Sequence, residues 1–386
     1  MTLAAIVVGV ASLILSGGFV RDIVVQLGEA LIHSQSGHIQ VNRRGFFEAG
    51  TRSPEKFLID EPKPLREQIA SIVEVDDVLA RSGFSGLLSN GRAELAIIGE
   101  GVEPGREERL GTYLKIRAGR QLTDQDAYGL LIGDGVARTL KLEPGDQVTL
   151  LVSTAGGALN TLDLEVVGVF QTFSKDFDAR AVRIPLAAAQ TLLDTQGVNT
   201  LVVALKETDA TAAVADRLGR SIDPAQFEVK AWYELSDFYG KTVDLYERQF
   251  GVLRLIILFM VLLSVANSVN MTVMERVGEF GTMMALGNHR WHTFRLIAAE
   301  SAVLGLAGSV IGVALGVALA AAVSAIGIPM PPPPNSDLGY TARIQIVPLE
   351  IALAFAVGMA ATVAASILPA WRATRTPVVD ALRQNG

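Results

Sequence analysis

Four stretches run without a charged side chain for the length of a membrane crossing: Met1 to Val20, Leu255 to Met274, Ser301 to Gly327 and Ile351 to Trp371. A bilayer core roughly 30 Å thick takes about 20 mostly apolar residues in a helix that rises about 1.5 Å per residue. Each stretch is therefore predicted to span a membrane. After the first, Ile23, Val24, Leu27, Ala30 and Leu31 fall at helical spacing among Asp22, Gln26 and Glu29, so that helix is expected to continue to about His33. Before the second, Leu235, Phe238, Tyr239, Val243, Tyr246 and Phe250 recur at intervals of three and four. Two amphipathic extensions on adjacent spans predict a packed stalk.

Between the extensions the period changes. His38 to Val41, Leu95 to Ile98, Gln147 to Val152, Leu162 to Phe170, Val182 to Ile184 and Thr200 to Leu205 are apolar and β-branched runs bounded by turn residues, and they predict strands. Pro64 to Ile72, Leu130 to Leu140, Leu186 to Asp194 and Ala210 to Ser221 carry helical periods. Strands and helices alternating irregularly predict an α+β domain inserted between the first and second spans, not a doubly wound sheet.

Composition fits this division. Of 386 residues, 50% are hydrophobic and 19% charged, which few soluble chains combine. Arg21 to Arg254 holds 34 acidic against 26 basic residues, a net charge of 26 − 34 = −8, so the inserted domain is acidic. There is no cysteine, which removes disulfides and thiol chemistry from the functions to be considered. Arg276, Arg290 and Arg295 lie between the second and third spans and Arg372, Arg375 and Arg383 after the fourth, whereas Ile328 to Glu350 carries only Arg343. The basic loops predict a cytoplasmic side, with the acidic domain outside. Met1 to Val20 lacks the basic region of a cleaved signal; it is read as a retained helix, with an upstream cytoplasmic segment expected.

Catalytic signatures are scarce. Gly240-Lys241-Thr242 ends like a phosphate-binding loop, but Leu235 stands where the first glycine belongs. His33 and His38 have no second pair at metal-ligand spacing. The pairs Asp124 with Asp126 and Asp176 with Asp178 are expected to be solvated turn acids. Pro329 and Pro331 to Pro334 predict a stiff connector.

Two segments stand out. Gly308, Gly312, Gly316, Ala320 and Ser324 recur every four residues and predict a helix face that admits another backbone, within the chain or from another subunit. The run from Glu275 to Gly287 places Val277, Phe280, Met284 and Leu286 as an apolar face on a short helix, with Gly287 at its end and Asn288 capping the next. Such a face asks for a protein partner or for the lipid surface. Phe280, its one aromatic, is the expected anchor.

Glu275-Arg276 through Ala285-Leu286-Gly287, with Arg290, Arg295 and Glu300 following, resembles the signature of the MacB and FtsX permease family, and Pro369 to Ala373 with Thr376 to Arg383 is similar to that family's close. Gly37 to Val41, Leu131-Ile132-Gly133, Leu142 to Asp146 and Ile184 to Gln190 resemble the periplasmic core domain of its lipoprotein-releasing LolC and LolE branch.

The resemblance implies a membrane α-helical protein with four transmembrane helices and a large α+β periplasmic domain of MacB core-domain type between the first and second. Residues 1–34 would hold the first transmembrane helix and its stalk extension, 35–231 the core domain, 232–274 the stalk helix and second transmembrane helix, and 275–291 the coupling segment. Residues 292–327 would be the third helix, 328–346 the Pro-rich loop, 347–371 the fourth helix and 372–386 a cytoplasmic tail. It further implies a non-catalytic permease subunit of an ABC transporter, without a cofactor of its own, paired with a second permease copy or paralogue in the inner membrane. ATP and Mg would be bound by a partner ATPase dimer docked on Glu275, Arg276, Gly278, Glu279, Phe280, Met283, Met284, Ala285, Leu286 and Gly287. Gly308, Gly312 and Gly316 would pack helices. Release of lipoprotein or another hydrophobic cargo is the expected work; efflux of a periplasmic substrate in the manner of MacB, and signalling in the manner of FtsX, are the alternatives. No nucleic-acid partner, catalytic residue or metal is implied.

Overall fold

The computed structural model describes residues 2–50, 54–111, 113–154, 156–172, 174–331 and 339–375. Pro332 to Pro334 and the closing motif Thr376 to Arg383 lie outside the described residues. Four helices are long and apolar enough to cross a membrane. The chain divides into two compact units, one of them built mainly from residues 26–240 and the other from the apolar helices.

The first unit begins with the end of α1 (Thr2–Leu31), which passes through a π-turn, Ile32–Ser36, into β1 (Ile39–Arg43). Then come α2 (Pro62–Ala70), β2 (Val75–Ser89), β3 (Glu94–Val102), α3 (Pro104–Leu110), β4 (Lys115–Gly119), β5 (Gly129–Gly133) and α4 (Asp134–Leu140). They are followed by β6 (Gln147–Ser153), β7 (Leu159–Gln171), α5 (Lys175–Asp178), β8 (Ala181–Pro185), α6 (Leu186–Leu193), β9 (Thr200–Leu205), α7 (Thr211–Ser221), β10 (Phe227–Ala231) and α8 (Trp232–Leu235).

The ten strands run in the order β10-β1-β9-β2-β3-β8-β5-β7-β4, with β6 paired to β2 and β7. Parallel pairs β3–β8 and β5–β7 sit among antiparallel ones. β2 is long enough to serve two neighbourhoods: Val75 to Arg81 pairs with β9, and Gly86 to Ser89 with β6. Two cores result. One gathers β1, β2 and β9 under α2 and α7, where Val214 and Leu218 present the buried stripe of an amphipathic helix. The other gathers Phe84, Leu150, Leu164 and Ile184 under α4 and α6.

The sequence motifs of this unit have local reasons. Pro144 and Gly145 form a turn in which the Asp146 amide donates to the Glu143 carbonyl at 3.1 Å, and Gly145 takes φ +100°, as the third position of a type II turn demands. In Leu131-Ile132-Gly133-Asp134-Gly135 the glycines allow a close approach. A Cβ at Gly133 would lie 2.3 Å from the Asp178 carbonyl oxygen, and one at Gly135 2.5 Å from Ala179 Cα.

Several expectations are corrected. Leu130 to Leu140 is strand through Gly133 and helix only from Asp134. The fully buried run Gly129–Gly133 forms β5, and a buried strand and a buried helix share the same unbroken hydrophobicity. β2, β4, β5, β10 and α3 are additional elements. Asp178 is no solvated turn acid: it is buried, and its carboxyl accepts the Thr172 amide at 2.9 Å and the Thr172 hydroxyl at 2.7 Å.

Burial pushes the Asp178 carboxyl up to about 6, against the opposing pull of the Thr172 hydrogen bonds. His38 is shifted the other way. Burial lowers it to about 4, the nearby His33 ring adds to the effect, and Glu29 and Asp76 oppose it. Its Nδ1 accepts the Leu205 amide at 3.2 Å, so the bonded ring is neutral there. Between pH 6.5 and about 4 the unfolded chain binds a proton that folded His38 refuses, and stability is lost as pH falls. From 3.8 to about 6 folded Asp178 keeps a proton that the unfolded chain has shed, and stability is lost as pH rises. The two slopes oppose each other across their overlap. Asp178→Asn should therefore expose the His38 slope, lowering stability by about 2 kcal/mol between pH 6 and pH 4.5 relative to wild type. Denaturation midpoints of the detergent-solubilised chain at the two values check this, and parallel pH profiles would sink it.

The second unit contains the start of α1, with α9 (Asp237–Glu275), α10 (Val277–Ala285), α11 (Arg290–Ile326) and α12 (Pro348–Arg375), besides the short strands Ile328–Met330 and Tyr340–Ala342 at its margin. Half of the most apolar window of α1 is buried, against 17% for α9 and 22% for α11. Ile6, Val10 and Ile14 of α1 share one core with Val261, Val265 and Val269 of α9 and Ala354 and Ala365 of α12. Near the other end, the carboxylate of Asp22 accepts the Arg343 amide at 2.8 Å, and Arg254 pairs with Glu350 at 3.3 Å beside Gly17. A Cβ at Gly17 would meet both charged groups, at 2.9 Å from Glu350 and 3.2 Å from Arg254.

The amphipathic extensions are helical. α9 is one helix from Asp237, with Tyr239, Val243, Tyr246 and Phe250 half-buried along one side. Gly28 of α1 lies against the Trp232 indole, and the Trp232 and Tyr239 rings meet edge to face at 4.6 Å.

Candidate functional site

The turn between α9 and α11 is built by few residues. Arg276 leaves helical geometry at φ −107°, ψ 13°, and α10 starts behind it. Its guanidinium donates to Glu279 at 2.9 Å and to both carboxylate oxygens of Glu300 at 2.9 and 3.0 Å, and it lies 5.4 Å from the Phe280 ring centre. These groups are partly exposed, so the network contributes about 1 kcal/mol or less. Its effect is geometric: one side chain ties the start of α10 to α11.

The end of α10 is equally defined. Gly287 takes φ +95°, its amide donates to the Met284 carbonyl at 3.1 Å, and the Asn288 amide donates to the Met283 carbonyl at 3.0 Å. This double closure is a Schellman motif, and it needs the left-handed residue that glycine supplies. The next helix is capped by His289, whose Nδ1 accepts the Trp291 amide at 3.3 Å; the expected cap Asn288 belongs to the preceding closure.

α10 presents two faces. Val277, Gly278, Phe280 and Gly281 are buried, with Phe280 in the core beside Val273, Ile297 and Ala370. Arg276, Met283 and Met284 are half-buried, and Glu275, Glu279, Ala285, Leu286 and Gly287 are exposed. Phe280, the expected anchor, is 2% exposed and sits in the apolar core to which α9, α11 and α12 contribute. Leu286 instead stands out at 84% exposure. Trp291, which the sequence reading passed over, is also exposed and stacks on Phe294 at 5.3 Å. An aromatic in the polar run Asn288 to Thr293 was the available signal.

The glycine face lies inside the chain. A Cβ at Gly308 would lie 2.9 Å from Ile6, one at Gly312 2.8 Å from Val10 Cβ and 3.0 Å from the Val7 carbonyl, and one at Gly316 3.1 Å from Ala11 Cα. The stripe thus receives α1 of the same chain. Gly358 of α12 completes the arrangement, since its Cβ would meet Val10 at 2.4 Å.

Residues 1–221 match the MacB-like periplasmic core domain and residues 251–378 the FtsX-like permease C-terminal domain. The chain is 22% identical to the lipoprotein-releasing system transmembrane protein LolC of Neisseria meningitidis over 409 aligned positions, covering 99% of this chain and 93% of that one. It is 24% identical to the corresponding LolE of Haemophilus influenzae over 244 positions, which span 61% of this chain and only 58% of that relative. Among solved structures, the periplasmic region of MacB from Actinobacillus actinomycetemcomitans matches with a TM-score of 0.37 at 15% identity, over 55% of this chain and 94% of that one. With the two domain matches in this order, the first covering more than half of the sequence, the chain belongs to the MacB/FtsX family of ABC transporter permeases.

Proposed function

We propose that this chain is the non-catalytic membrane subunit of an inner-membrane ABC transporter that releases lipoprotein, or another hydrophobic cargo, from the outer leaflet. In this reading the α9–α11 turn faces the cytoplasm and the α/β unit lies outside, as the arginines of the short loops suggest. An ATPase dimer, binding ATP and Mg, docks on the turn, and a second permease copy or paralogue completes the assembly. The names carried by the LolC and LolE relatives support the cargo class.

One observation carries the docking assignment: the Leu286 side chain, 84% exposed, sits at the tip of a turn braced by Arg276 and closed by Gly287. An apolar side chain presented on a rigid frame forfeits little entropy on binding. Leu286→Asp should weaken binding of the ATPase by about 2 kcal/mol or more, roughly 30-fold, with insertion of the chain unchanged. Recovery of the ATPase by wild-type and variant permease at equal expression measures it. Equal recovery would leave Leu286 without a docking role, and loss of the loop from the bilayer with the ATPase still bound would favour a lipid contact.

A further inference from the structure

The last carbonyls of a helix have no partner within it. In the π-turn Ile32–Ser36 that continues α1, two such carbonyls are taken by side chains from the middle of the sheet. Arg183 of β8 donates through Nη2 to the Ser34 carbonyl at 3.0 Å, and Arg81 of β2 donates through Nη1 to the Gln35 carbonyl. Ser36 offers its carbonyl to Gln40 at 2.9 Å, and the Ile32 carbonyl is closed by the Gly37 amide at 2.9 Å.

Both guanidiniums are buried and held from behind. Arg81 donates through Nε and Nη2 to the two oxygens of Glu107 on α3, at 2.5 and 2.9 Å. Arg183 donates through Nε to Glu100 of β3 at 2.9 Å, and these two residues face each other in the β3–β8 register. Cross-contacts of 3.9 Å join Arg81 to Glu100 and Arg183 to Glu107. Two cations and two anions thus balance, and each arginine has one arm left over. Both spare arms point at the end of α1. Burying four charges is costly unless every one is paired, and a structural ion cluster would balance without the carbonyls.

We infer that Arg81 and Arg183 are positioning residues that clamp the carbonyl end of α1 to β2 and β8, so that displacement along α1 is delivered to the centre of the sheet. This rests on the ATPase-coupled reading above. The arrangement suits that work: fork-shaped donors hold a backbone in direction as well as distance, and β2 reaches both cores.

The test is a charge-balanced removal of one arm, Arg183→Met with Glu100→Met, which leaves the Arg81–Glu107 pair intact. The full-length permease, copurified with its ATPase, is compared with wild type by hydrogen exchange in ATP·Mg and in ADP. ATP hydrolysis should persist, and the nucleotide-dependent difference in exchange at β8 should be lost. A merely structural role would raise exchange equally in both nucleotides and keep the difference; that result, or a difference of wild-type size, would overturn the clamp. If the double variant fails to accumulate, Arg183→Lys carries the same test, because a lysine keeps a cation beside Glu100 without a second arm for Ser34. A wild-type complex that shows no nucleotide-dependent exchange would refute the coupled reading itself, and the clamp with it.

Discussion

Replacing Glu107 by alanine should cost the α/β unit about 3–5 kcal/mol, because among the described residues it leaves two buried guanidiniums with Glu100 as the one carboxylate within 4.0 Å. Arg81, Glu107 and Arg183 are 5%, 4% and 3% exposed, so water cannot replace the lost partner. Burial opposes ionisation of the Glu107 carboxyl, but Arg81 and Arg183 hold it below its usual range. A loss of this size approaches the whole stability of a domain. The expected result is a chain that inserts but whose α/β unit exchanges amide protons freely, with falling accumulation in cells. Arg220→Ala, which removes an exposed helical pair with Asp216, should change stability by less than about 0.5 kcal/mol. Similar denaturation midpoints for the two variants would contradict this account of the cluster.

Gly312→Leu should disrupt the helical unit, at a cost of about 3 kcal/mol or more. Even the first added carbon would lie 2.8 Å from Val10 Cβ and 3.0 Å from the Val7 carbonyl, and a backbone cannot yield as a side-chain tip can. The damage falls within one chain. Thermal melting of the detergent-solubilised protein should move down before any subunit separates, and wild-type melting of the variant would end the argument. Gly251→Ala is the control. It lies in α9 with no neighbour within 4 Å, and a helical alanine there should be neutral or stabilise by up to about 1 kcal/mol.

The four spans were legible because charge-free runs of membrane length have few other uses. The soluble unit was read less well, for physical reasons. β2 is interrupted by Asp76, Asp77, Arg81 and two glycines, yet Arg81 is buried by pairing that no local pattern reveals. Asp178 looks like any turn acid until Gly133 and Gly135 bring its backbone against α4. At the candidate site, spacing put the helix end at Gly287 and gathered Val277 with Phe280, but it also placed Leu286, which is exposed, on the same face. It could not tell whether that face meets a partner or the chain's own spans, since both are apolar demands of equal strength. The glycine stripe posed the same question, answered by Ile6 and Val10, some 300 positions away.

That separation sets a problem for the ribosome. Val10 emerges 312 − 10 = 302 residues before Gly312, which at about 5–20 residues per second is roughly 15–60 s. The most enclosed helix of the bundle is thus translated before every helix that encloses it, and its groove partner arrives only after the whole α/β unit has been synthesised. During that interval Val7, Val10 and Ile14 must face lipid or a chaperone. A span without a single charge from Thr2 to Val20 tolerates such a wait, whereas the late helices, α11 and α12, can dock as they are released.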